Sequence, residues 1–380
     1  MSNIIVIGAG MVGSAMAIDL TSKHKVTCTD VSQKALIKLT ARHPDIATKL
    51  LDVTDFKALH DTISTFDLVL CAVPGFLGYQ TLEQIILAGK NVVDISFFPE
   101  NCLELDQLAK DKGVTAIVDC GVAPGMDNII LGYYNEKMTV TDFECLVGGL
   151  PKIKKWPYNY KAPFSPIDVI EEYTRPARYV ENGHEVIKPA MSDIDHVEFD
   201  NVGTLESFNS DGLRSIIHTM PHIPNMKEKT LRYPGHIDKI IALRDGGFLD
   251  TEAIEMNGQS IRPIDFTSKI LFDEWKLGDT EPEITVMSVT VAGTDVEGRQ
   301  KKVVYYLHDE YNAETQTSSM ARTTGYTATA AVNLFLDGVF NEKGVFPPEL
   351  VGKHEACFQY FLQYLEARGV IYKEEIRRID

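Results

Sequence analysis

Residues 4–13 read Ile4-Ile5-Val6-Ile7-Gly8-Ala9-Gly10-Met11-Val12-Gly13, an apolar run that leads directly into three glycines spaced as GxGxxG. After a buried strand, the first glycine permits a tight turn, the second lets the backbone approach a pyrophosphate, and the third lets the next helix pack closely. The N-terminus of that helix presents free N–H groups and a positive dipole end to phosphates. This segment therefore predicts a strand–turn–helix unit that binds a dinucleotide.

An acidic residue completes this pattern. Asp30 ends the second apolar run, 20 residues after Gly10. A carboxylate at this place accepts hydrogen bonds from ribose hydroxyls and would repel a 2′-phosphate, so we predict NAD rather than NADP as the cofactor. Asp52 has two equally good interpretations, a cofactor contact or the N-cap of a helix that begins near Asp55. The predicted cofactor-binding residues are Gly8, Ala9, Gly10, Met11, Val12, Gly13, Asp30, Val31, Asp52, Val53, Ala72, Val73, Pro74, Ser96 and Phe97.

Composition excludes several classes of function. The 380 residues suffice for about two domains, and the net charge of −17 disfavours nucleic acid and anionic membrane surfaces as partners. No apolar stretch approaches the ~20 residues of a membrane helix, and a strand that starts near residue 4 leaves no room for a signal peptide. The six cysteines form no CxxC pair, and no HExxH motif occurs. We therefore expect a cytoplasmic protein with reduced thiols, a small-molecule substrate and no metal site.

The first third of the chain alternates between strand and helix patterns, which is typical of a doubly wound parallel sheet. Short Val/Ile-rich runs predict strands at 3–7, 25–29, 68–72, 91–95 and 114–118. Amphipathic segments predict helices at 33–42, 55–63, 82–88 and 103–112.

The pattern changes near residues 121–124, where the strand–helix alternation gives way to longer irregular stretches. Strand-like alternation returns at 143–147, 286–292 and 303–308, and the last two runs read as a hairpin. A helix is predicted at 320–338. The sequence thus predicts an α/β fold in which a Rossmann-type doubly wound parallel sheet, residues 1–122, precedes a second α+β domain, residues 123–319.

Two arginines in the second domain are candidate ligands for a substrate carboxylate, because a guanidinium can pair with it bidentately. They lie in the motifs Ser210-Asp211-Gly212-Leu213-Arg214-Ser215 and Thr230-Leu231-Arg232-Tyr233-Pro234-Gly235-His236. These motifs, together with Gly121-Val122-Ala123-Pro124-Gly125-Met126, resemble those of L-lysine 6-dehydrogenases, which are members of the saccharopine dehydrogenase family. The resemblance covers residues 4–352 and departs at Phe164, where relatives tend to carry Trp.

The resemblance implies a Rossmann domain followed by a substrate and dimerisation domain. It also implies that residues 320–352 return to the first domain, that 353–380 form a C-terminal helical tail, and that the protein is a homodimer or a dimer of dimers. The reaction it implies is the NAD-dependent oxidation of L-lysine at its ε-carbon. Two alternatives are a saccharopine-type dehydrogenase and a non-catalytic NAD-binding protein.

The predicted reaction needs a neutral substrate amine, because an ammonium has no lone pair to expel a hydride. A free lysine amine has a pKa near ~10.4, so the site must promote its deprotonation. The candidates for proton transfer are Lys161, His236 and Tyr160, and the candidate substrate ligands are Arg214, Arg232, Gly121 and Asp211.

Overall fold

The computed structural model describes residues 1–378. Residues 1–117 alternate between strands and helices, as the apolar runs predict. The elements are β1 (Asn3–Ile7), α1 (Met11–Leu20), β2 (Lys25–Asp30), α2 (Gln33–Arg42), β3 (Ala47–Leu50), α3 (Phe56–Ile63), β4 (Leu68–Cys71), α4 (Gly75–Leu87), β5 (Val92–Asp94), a 3-10 helix (Cys102–Leu105), α5 (Asp106–Lys112) and β6 (Thr115–Ile117).

The fourth helix differs from its prediction, because it begins at Gly75 rather than at residue 82. The additional N-terminal turns contain two glycines, Gly75 and Gly78. In the structure they are helical, because the helix packs directly on the segment after β5. A Cβ on Gly75 would lie 2.2 Å from the carbonyl oxygen of Phe97, and one on Gly78 would lie 2.7 Å from side-chain atoms of Ser96 and Phe98. The glycines therefore permit close packing and do not break the helix.

The rest of the described chain is richer in antiparallel strands. Its elements are α6 (Met126–Asn135), β7 (Met138–Pro151), α7 (Pro166–Thr174), β8 (Ala177–Glu181), β9 (His184–Lys188), β10 (Asp195–Phe199), β11 (Gly203–Asn209), α8 (Ile216–Thr219), β12 (Asn225–Arg232), α9 (His236–Asp245), β13 (Ile254–Met256), β14 (Gln259–Ile261), α10 (Pro263–Trp275), β15 (Glu283–Asp295), β16 (Gln300–Glu310), α11 (Ser319–Leu336), β17 (Gly344–Phe346), α12 (Pro348–Gly352), α13 (Glu355–Glu366) and β18 (Tyr372–Arg378).

The first sheet has seven strands in the order β17-β6-β5-β4-β1-β2-β3, and every pair is parallel. Apolar clusters cover both of its faces, which explains why its strands are nearly continuous apolar runs. The strand order reverses beside β1, and in open α/β sheets ligands bind at such a switch point, beyond the carboxyl ends of the strands. The predicted Rossmann-type fold class is confirmed.

The second sheet is mixed and larger. Seven strands follow the order β10-β11-β12-β7-β15-β16-β18, and β8 and β9 attach beside β12. The strands β15 and β16 form the predicted hairpin, with longer arms than the alternation indicated. The segment 353–380 is not helical throughout, because β18 pairs antiparallel with β16. Gly369 adopts a φ of +75° after α13, and this turn redirects the chain to the open edge of the sheet.

The late segments pack against the first sheet. The strand β17 extends that sheet beside β6, and α11 packs along α1, where a Cβ on Gly325 would lie 3.0 Å from Met16. One apolar core then runs continuously from β1 through α11 to β15. Within residues 1–378, none of the helices combines the length and the apolar character that crossing a bilayer requires.

Candidate active site

The glycine-rich turn between β1 and α1 has the geometry of a phosphate cradle. Gly8 has a φ of +107°, and a Cβ on it would lie 2.5 Å from the carbonyl oxygen of Ala72. A Cβ on Gly13 would lie 2.0 Å from the carbonyl oxygen of Gly8, so this glycine permits the close approach of helix and turn. A Cβ on Gly10 would meet nothing within 4 Å and would enter the open cleft. The turn therefore leaves room for a ligand where a pyrophosphate would lie.

The first turn of α1 is free to bind an anion. Gly10 is its N-cap, no side chain caps it, and it contains no acidic residue. Its N–H groups and dipole therefore face the cleft beside Gly10. The residues of this turn fit a dinucleotide.

Asp30 lies at the carboxyl end of β2 and lines the same cleft. Its carboxylate accepts hydrogen bonds from the backbone N–H groups of Ala9 and Ser32, each at 2.7 Å. These bonds fix the carboxylate beside the glycine turn. Its charge is thereby placed where the ribose of a bound dinucleotide would lie.

Most other predicted cofactor residues also line this cleft. The exceptions are Ala9, which is buried in the turn, and Ser96, whose hydroxyl and backbone N–H both donate to Asp94. The residue Asp52 is not the N-cap of α3, since that role belongs to Asp55, whose carboxylate accepts from the N–H of Ala58 at 3.0 Å. The predicted residues that line the cleft are Gly8, Gly10, Met11, Val12, Gly13, Asp30, Val31, Asp52, Val53, Ala72, Val73, Pro74 and Phe97.

The cleft is continuous and has a volume of about 650 Å³. One half is lined by the loops of the first sheet. The other half is lined by α7 and by the inner face of the second sheet, through Val147, Gly148, Gly149, Phe164, Ser165, Asp168, Glu171, Glu172, Arg175, Ser210, Asp211, Gly212, Glu228, Thr230 and Arg232. A nicotinamide in the first half would therefore adjoin a second half that carries several charged side chains.

Helix α7 and its C-cap residue present four charged side chains to the cleft. Asp168, Glu171 and Glu172 follow the spacing i, i+3 and i+4, which places them on one face of the helix. Arg175 is the C-cap residue, with extended backbone directly after the helix ends at Thr174, and it continues this stripe. The opposite face, with Val169, Ile170 and Tyr173, packs into an apolar cluster. A buried amphipathic helix normally turns its charged face to bulk solvent, so this orientation marks the stripe as part of the site.

Two groups on this stripe have unused hydrogen-bonding capacity. Asp168 has an Oδ1 atom that is buried without a partner among the described residues, and burial raises the pKa of its carboxyl to about 6. The guanidinium of Arg175 contacts the carboxylate of Glu171, stacks 5.4 Å from the ring centroid of Phe97, and has a buried Nη1 atom without a partner in the same part of the chain. The sequence-based candidates included neither Asp168 nor Arg175.

Arg232 reaches the cleft, but most of its donors are already engaged. Its guanidinium donates to the hydroxyls of Tyr173 at 3.0 Å and Tyr160 at 3.3 Å, to the carbonyl oxygen of Leu231 at 2.9 Å, and to the carboxylate of Glu172 at 2.7 Å. The side chain is almost fully buried. It therefore holds Glu172 and two tyrosines in place and has little free capacity for a substrate carboxylate.

The structure places Arg214 outside the cleft lining. Its guanidinium forms a buried ion pair with Asp119, with N–O distances of 2.8 and 3.0 Å, and also donates to the carbonyl oxygen of Phe98. Asp119 and Gly121 line the cleft. Arg214 therefore lies behind this part of the cleft wall and holds Asp119 in place. Asp211 also lines the cleft, where its carboxylate is bound by Arg178 at 2.9 Å.

The three candidates for proton transfer do not line the cleft. Lys161 is half-buried and donates to the carbonyl oxygen of Glu274. His236 is fully buried between the hydroxyl of Tyr173 and the carbonyl oxygen of Tyr158, each at 2.9 Å. Burial and the nearby charge of Arg232 lower its pKa to about 3. Tyr160 is buried against Arg232, and burial raises its pKa. Tyr160 and His236 belong to the buried aromatic cluster that surrounds Arg232.

Comparison with known proteins agrees with this architecture. The model of the Saccharopine dehydrogenase C-terminal domain matches residues 121–370, and the model of the Saccharopine dehydrogenase NADP binding domain matches residues 4–117. The chain belongs to the saccharopine dehydrogenase family. The predicted family is confirmed, and the first half of the cleft lies in its NAD(P)-binding domain.

Three relatives of the chain illustrate the range of this family. Saccharopine dehydrogenase [NADP(+), L-glutamate-forming] of Pyricularia oryzae is 25% identical over 327 residues, which cover 80% of this chain and 69% of that protein. Carboxyaminopropylagmatine dehydrogenase of Synechocystis is 23% identical over 382 residues, which cover 92% of both chains. The apo structure of saccharopine dehydrogenase (L-Glu forming) from Saccharomyces cerevisiae has a TM-score of 0.79 at 20% identity and covers 99% of this chain and 100% of that one. This structural likeness supports the fold.

Proposed function

We propose that the protein is an NAD-dependent dehydrogenase that oxidises L-lysine at its ε-carbon and releases ammonia and the 6-semialdehyde. The observation that carries this proposal is that Asp168 and Arg175 each keep one buried polar atom without a partner among the described residues. They carry opposite charges, lie near the start of α7 and at its C-cap, seven residues apart, and share a cleft with the glycine-rich turn. Seven residues of helix span about 10 Å, which suits a short substrate with a cation at one end and a carboxylate at the other.

The free Nη1 of Arg175 is the proposed ligand of the substrate α-carboxylate. Its guanidinium is already oriented by Glu171 on one side and by the ring of Phe97 on another. Such a preorganised fork can bind a carboxylate with little further loss of side-chain freedom. Arg232 contributes indirectly, because it fixes Glu172 in the same wall.

The carboxylate of Asp168 is the proposed partner of the ε-amine. Its pKa of about 6 means that it is ionised at neutral pH, where it attracts the substrate ammonium. Its unpartnered Oδ1 can then accept the amine proton when water is excluded from the cleft. The cofactor, when held at the glycine-rich turn, would supply the acceptor for the hydride of the ε-carbon, and water that enters afterwards would hydrolyse the imine to ammonia and the 6-semialdehyde. Because the amine must lose a proton first, we expect the rate to rise with pH through the neutral and mildly alkaline range.

The proposal names NAD because of Asp30. Its carboxylate is held by the N–H groups of Ala9 and Ser32, so it cannot swing away from the ribose position without losing two hydrogen bonds. A fixed negative charge there disfavours the 2′-phosphate of NADP.

The balance of charges disfavours a saccharopine-type substrate. In the second half of the cleft, the lining acids are Asp168, Glu171, Glu172, Asp211 and Glu228, and the lining cations are Arg175 and Arg232; Arg178 behind the wall compensates Asp211. The acids still outnumber the arginines. Saccharopine carries three carboxylates and would need more cationic contacts. An amine-rich substrate with one carboxylate suits this lining, and the full-length likeness to carboxyaminopropylagmatine dehydrogenase makes such a substrate the second candidate.

One assay distinguishes these substrates. Formation of NADH is measured with L-lysine, 1,5-diaminopentane, saccharopine and carboxyaminopropylagmatine at equal concentration, with NAD and NADP in parallel. We expect the highest kcat/KM with lysine and NAD, and a poor rate with the diamine because it lacks the carboxylate. Preference for saccharopine would contradict the charge argument, and preference for carboxyaminopropylagmatine would establish the second candidate. Absence of turnover with every compound would favour a non-catalytic NAD-binding protein.

A further inference from the structure

Three buried side chains that could bind a metal ion converge beneath the floor of the cleft. Asp127 lies in the first turn of α6, Cys145 on β7 and Glu228 on β12. One potential ligand atom of each lies within 4.8 Å of the other two. Cys145 and Glu228 are direct neighbours in the parallel pairing of β7 with β12, so the sheet register brings them together.

The cluster contains hydrogen-bonding capacity that the described residues leave unused. The Oδ1 atom of Asp127 accepts from the N–H of Gly125 at 2.9 Å, but its Oδ2 atom is buried without a partner. The Oε2 atom of Glu228 is likewise buried without a partner. Each of these carboxylates is more than nine-tenths buried. Orphaned carboxylate oxygens are costly in a protein interior, so this arrangement needs a neutralising partner.

A glycine beside the cluster leaves room for the Glu228 carboxylate. Gly212 packs directly on Glu228, and a Cβ there would lie 2.0 Å from the Glu228 Cδ atom. Among residues 1–378, neither Asp127 nor Glu228 takes part in an ion pair with a cationic side chain. Two carboxylates and a thiolate at this separation cannot all be charged unless protons or a cation compensate them.

We propose that Asp127, Cys145 and Glu228 form a zinc-binding site directly behind the substrate half of the cleft. A thiolate with two carboxylate oxygens is a donor set that suits zinc, whereas magnesium and calcium prefer oxygen ligands alone. Tetrahedral ligands at 2.0–2.3 Å from zinc lie roughly 3.3–3.8 Å apart, so the cluster needs only a small contraction. Glu228 lines the cleft, which provides an entry path for the ion.

The sequence favoured no metal site because these ligands are far apart in the chain. Residues 127, 145 and 228 form no spacing motif, and only the pairing of β7 with β12 and the packing of α6 bring them together. This inference does not depend on lysine being the substrate.

The test uses the full-length protein without an affinity tag. The protein is loaded with Zn²⁺, or with Co²⁺ as a spectroscopic probe, and freed of unbound metal by gel filtration. We expect about one zinc per chain by elemental analysis, a thiolate-to-cobalt charge-transfer band in the near ultraviolet, and a zinc-dependent rise in Tm. Wild-type protein that retains no metal and shows no such band would overturn the proposal, and protons would then neutralise the cluster.

Matched cysteine variants locate the site. Cys145→Ala should abolish the cobalt–thiolate band and weaken zinc binding at least 100-fold. Cys357→Ala removes another buried thiol, on α13 outside the cluster, and should change neither readout. Glu228→Gln keeps the shape and should weaken zinc binding while the thiolate band persists. Equal loss in both cysteine variants would overturn the assignment, and the wild-type loading decides the proposal even if Cys145→Ala folds poorly.

Discussion

The two halves of the cleft differ in the atoms from which they are made. In the cofactor half, the phosphate position is formed by backbone: a glycine turn, a helix N-terminus, and one carboxylate that is itself held by backbone N–H groups. In the substrate half, the polar contacts come from charged side chains supplied by α7, β11, β12 and the loops beside them. Backbone sites need residues at fixed local spacings, whereas side-chain sites depend on tertiary packing. Substitutions in one half should therefore impair cofactor binding without changing substrate specificity, and substitutions in the other half should do the reverse.

The largest effect should come from the backbone half. Gly10 has a φ of −68°, which any residue adopts, and its Cβ would enter open space. In Gly10→Val the branched side chain occupies the pyrophosphate position, so we expect the affinity for NAD to fall by about 100-fold, or about 3 kcal/mol. Isothermal titration calorimetry measures this change.

Gly13→Ala is the matched control in the same turn. Its Cβ would lie 2.0 Å from the carbonyl oxygen of Gly8, so it should lower Tm, whereas Gly10→Val should leave Tm nearly unchanged. Retention of tight NAD binding by folded Gly10→Val would show that the dinucleotide does not cross this turn.

The next effect should distinguish two arginines in the substrate half. Arg175→Gln removes the proposed carboxylate ligand, and we expect kcat/KM for lysine to fall 10- to 100-fold, the order of one charged hydrogen bond of about 1.5–3 kcal/mol. The affinity for NAD and the slow reaction with 1,5-diaminopentane should remain unchanged. Steady-state kinetics with both substrates measures the difference.

Arg214→Lys is the control for that experiment. Arg214 is buried in an ion pair with Asp119, so this variant should lower Tm more than Arg175→Gln does. If Arg214→Lys selectively raises KM for lysine while Arg175→Gln does not, the substrate carboxylate is bound by Arg214 and not by Arg175.

A smaller effect concerns Asp30, the side chain that we propose determines the choice between NAD and NADP. Asp30→Ala removes the charge that repels a 2′-phosphate, and we expect the ratio of kcat/KM for NAD over NADP to fall about tenfold, near 1.4 kcal/mol. Asp52→Ala is the control, because Asp52 lines the same half but its Oδ1 atom is bound by Thr54. A wild-type enzyme that prefers NADP would contradict the proposal that Asp30 disfavours the 2′-phosphate.

Thirteen of the fifteen residues that the sequence proposes for cofactor binding line the cleft. Their convergence follows from locality, since the turn, the helix and the acidic residue lie within 30 residues of the sequence. In the substrate half the charged stripe of α7 was accessible to sequence reasoning, because its i, i+3, i+4 spacing is local. The motifs instead indicated Arg214 and Arg232, and in the structure Arg214 is buried behind the cleft lining, in an ion pair with Asp119. Glu228 could not be found this way, because its position depends on strand register and on the packing of Gly212.

The smallest effect links the substrate half to stability. Burial holds the pKa of Asp168 near 6, well above the 3.8 of an unperturbed aspartate. Between these values the unfolded chain is ionised while the folded carboxyl is still protonated, so the free energy of unfolding should decrease as the pH rises from about 4 to about 6. Above pH 6 the penalty stays constant.

Asp168→Asn removes this penalty, and we expect the variant to be more stable than wild type by about 1 kcal/mol at pH 7.5, since each pKa unit corresponds to about 1.4 kcal/mol and cleft water screens the charge. At pH 4 the difference should vanish. Urea unfolding at both pH values measures it, with Asp52→Ala as a control from the exposed half of the cleft. The same variant should lose the acidic limb of the pH–rate profile for lysine. If Asp168→Asn is no more stable at pH 7.5, its carboxyl is well solvated and cannot act as the strained partner of the substrate amine.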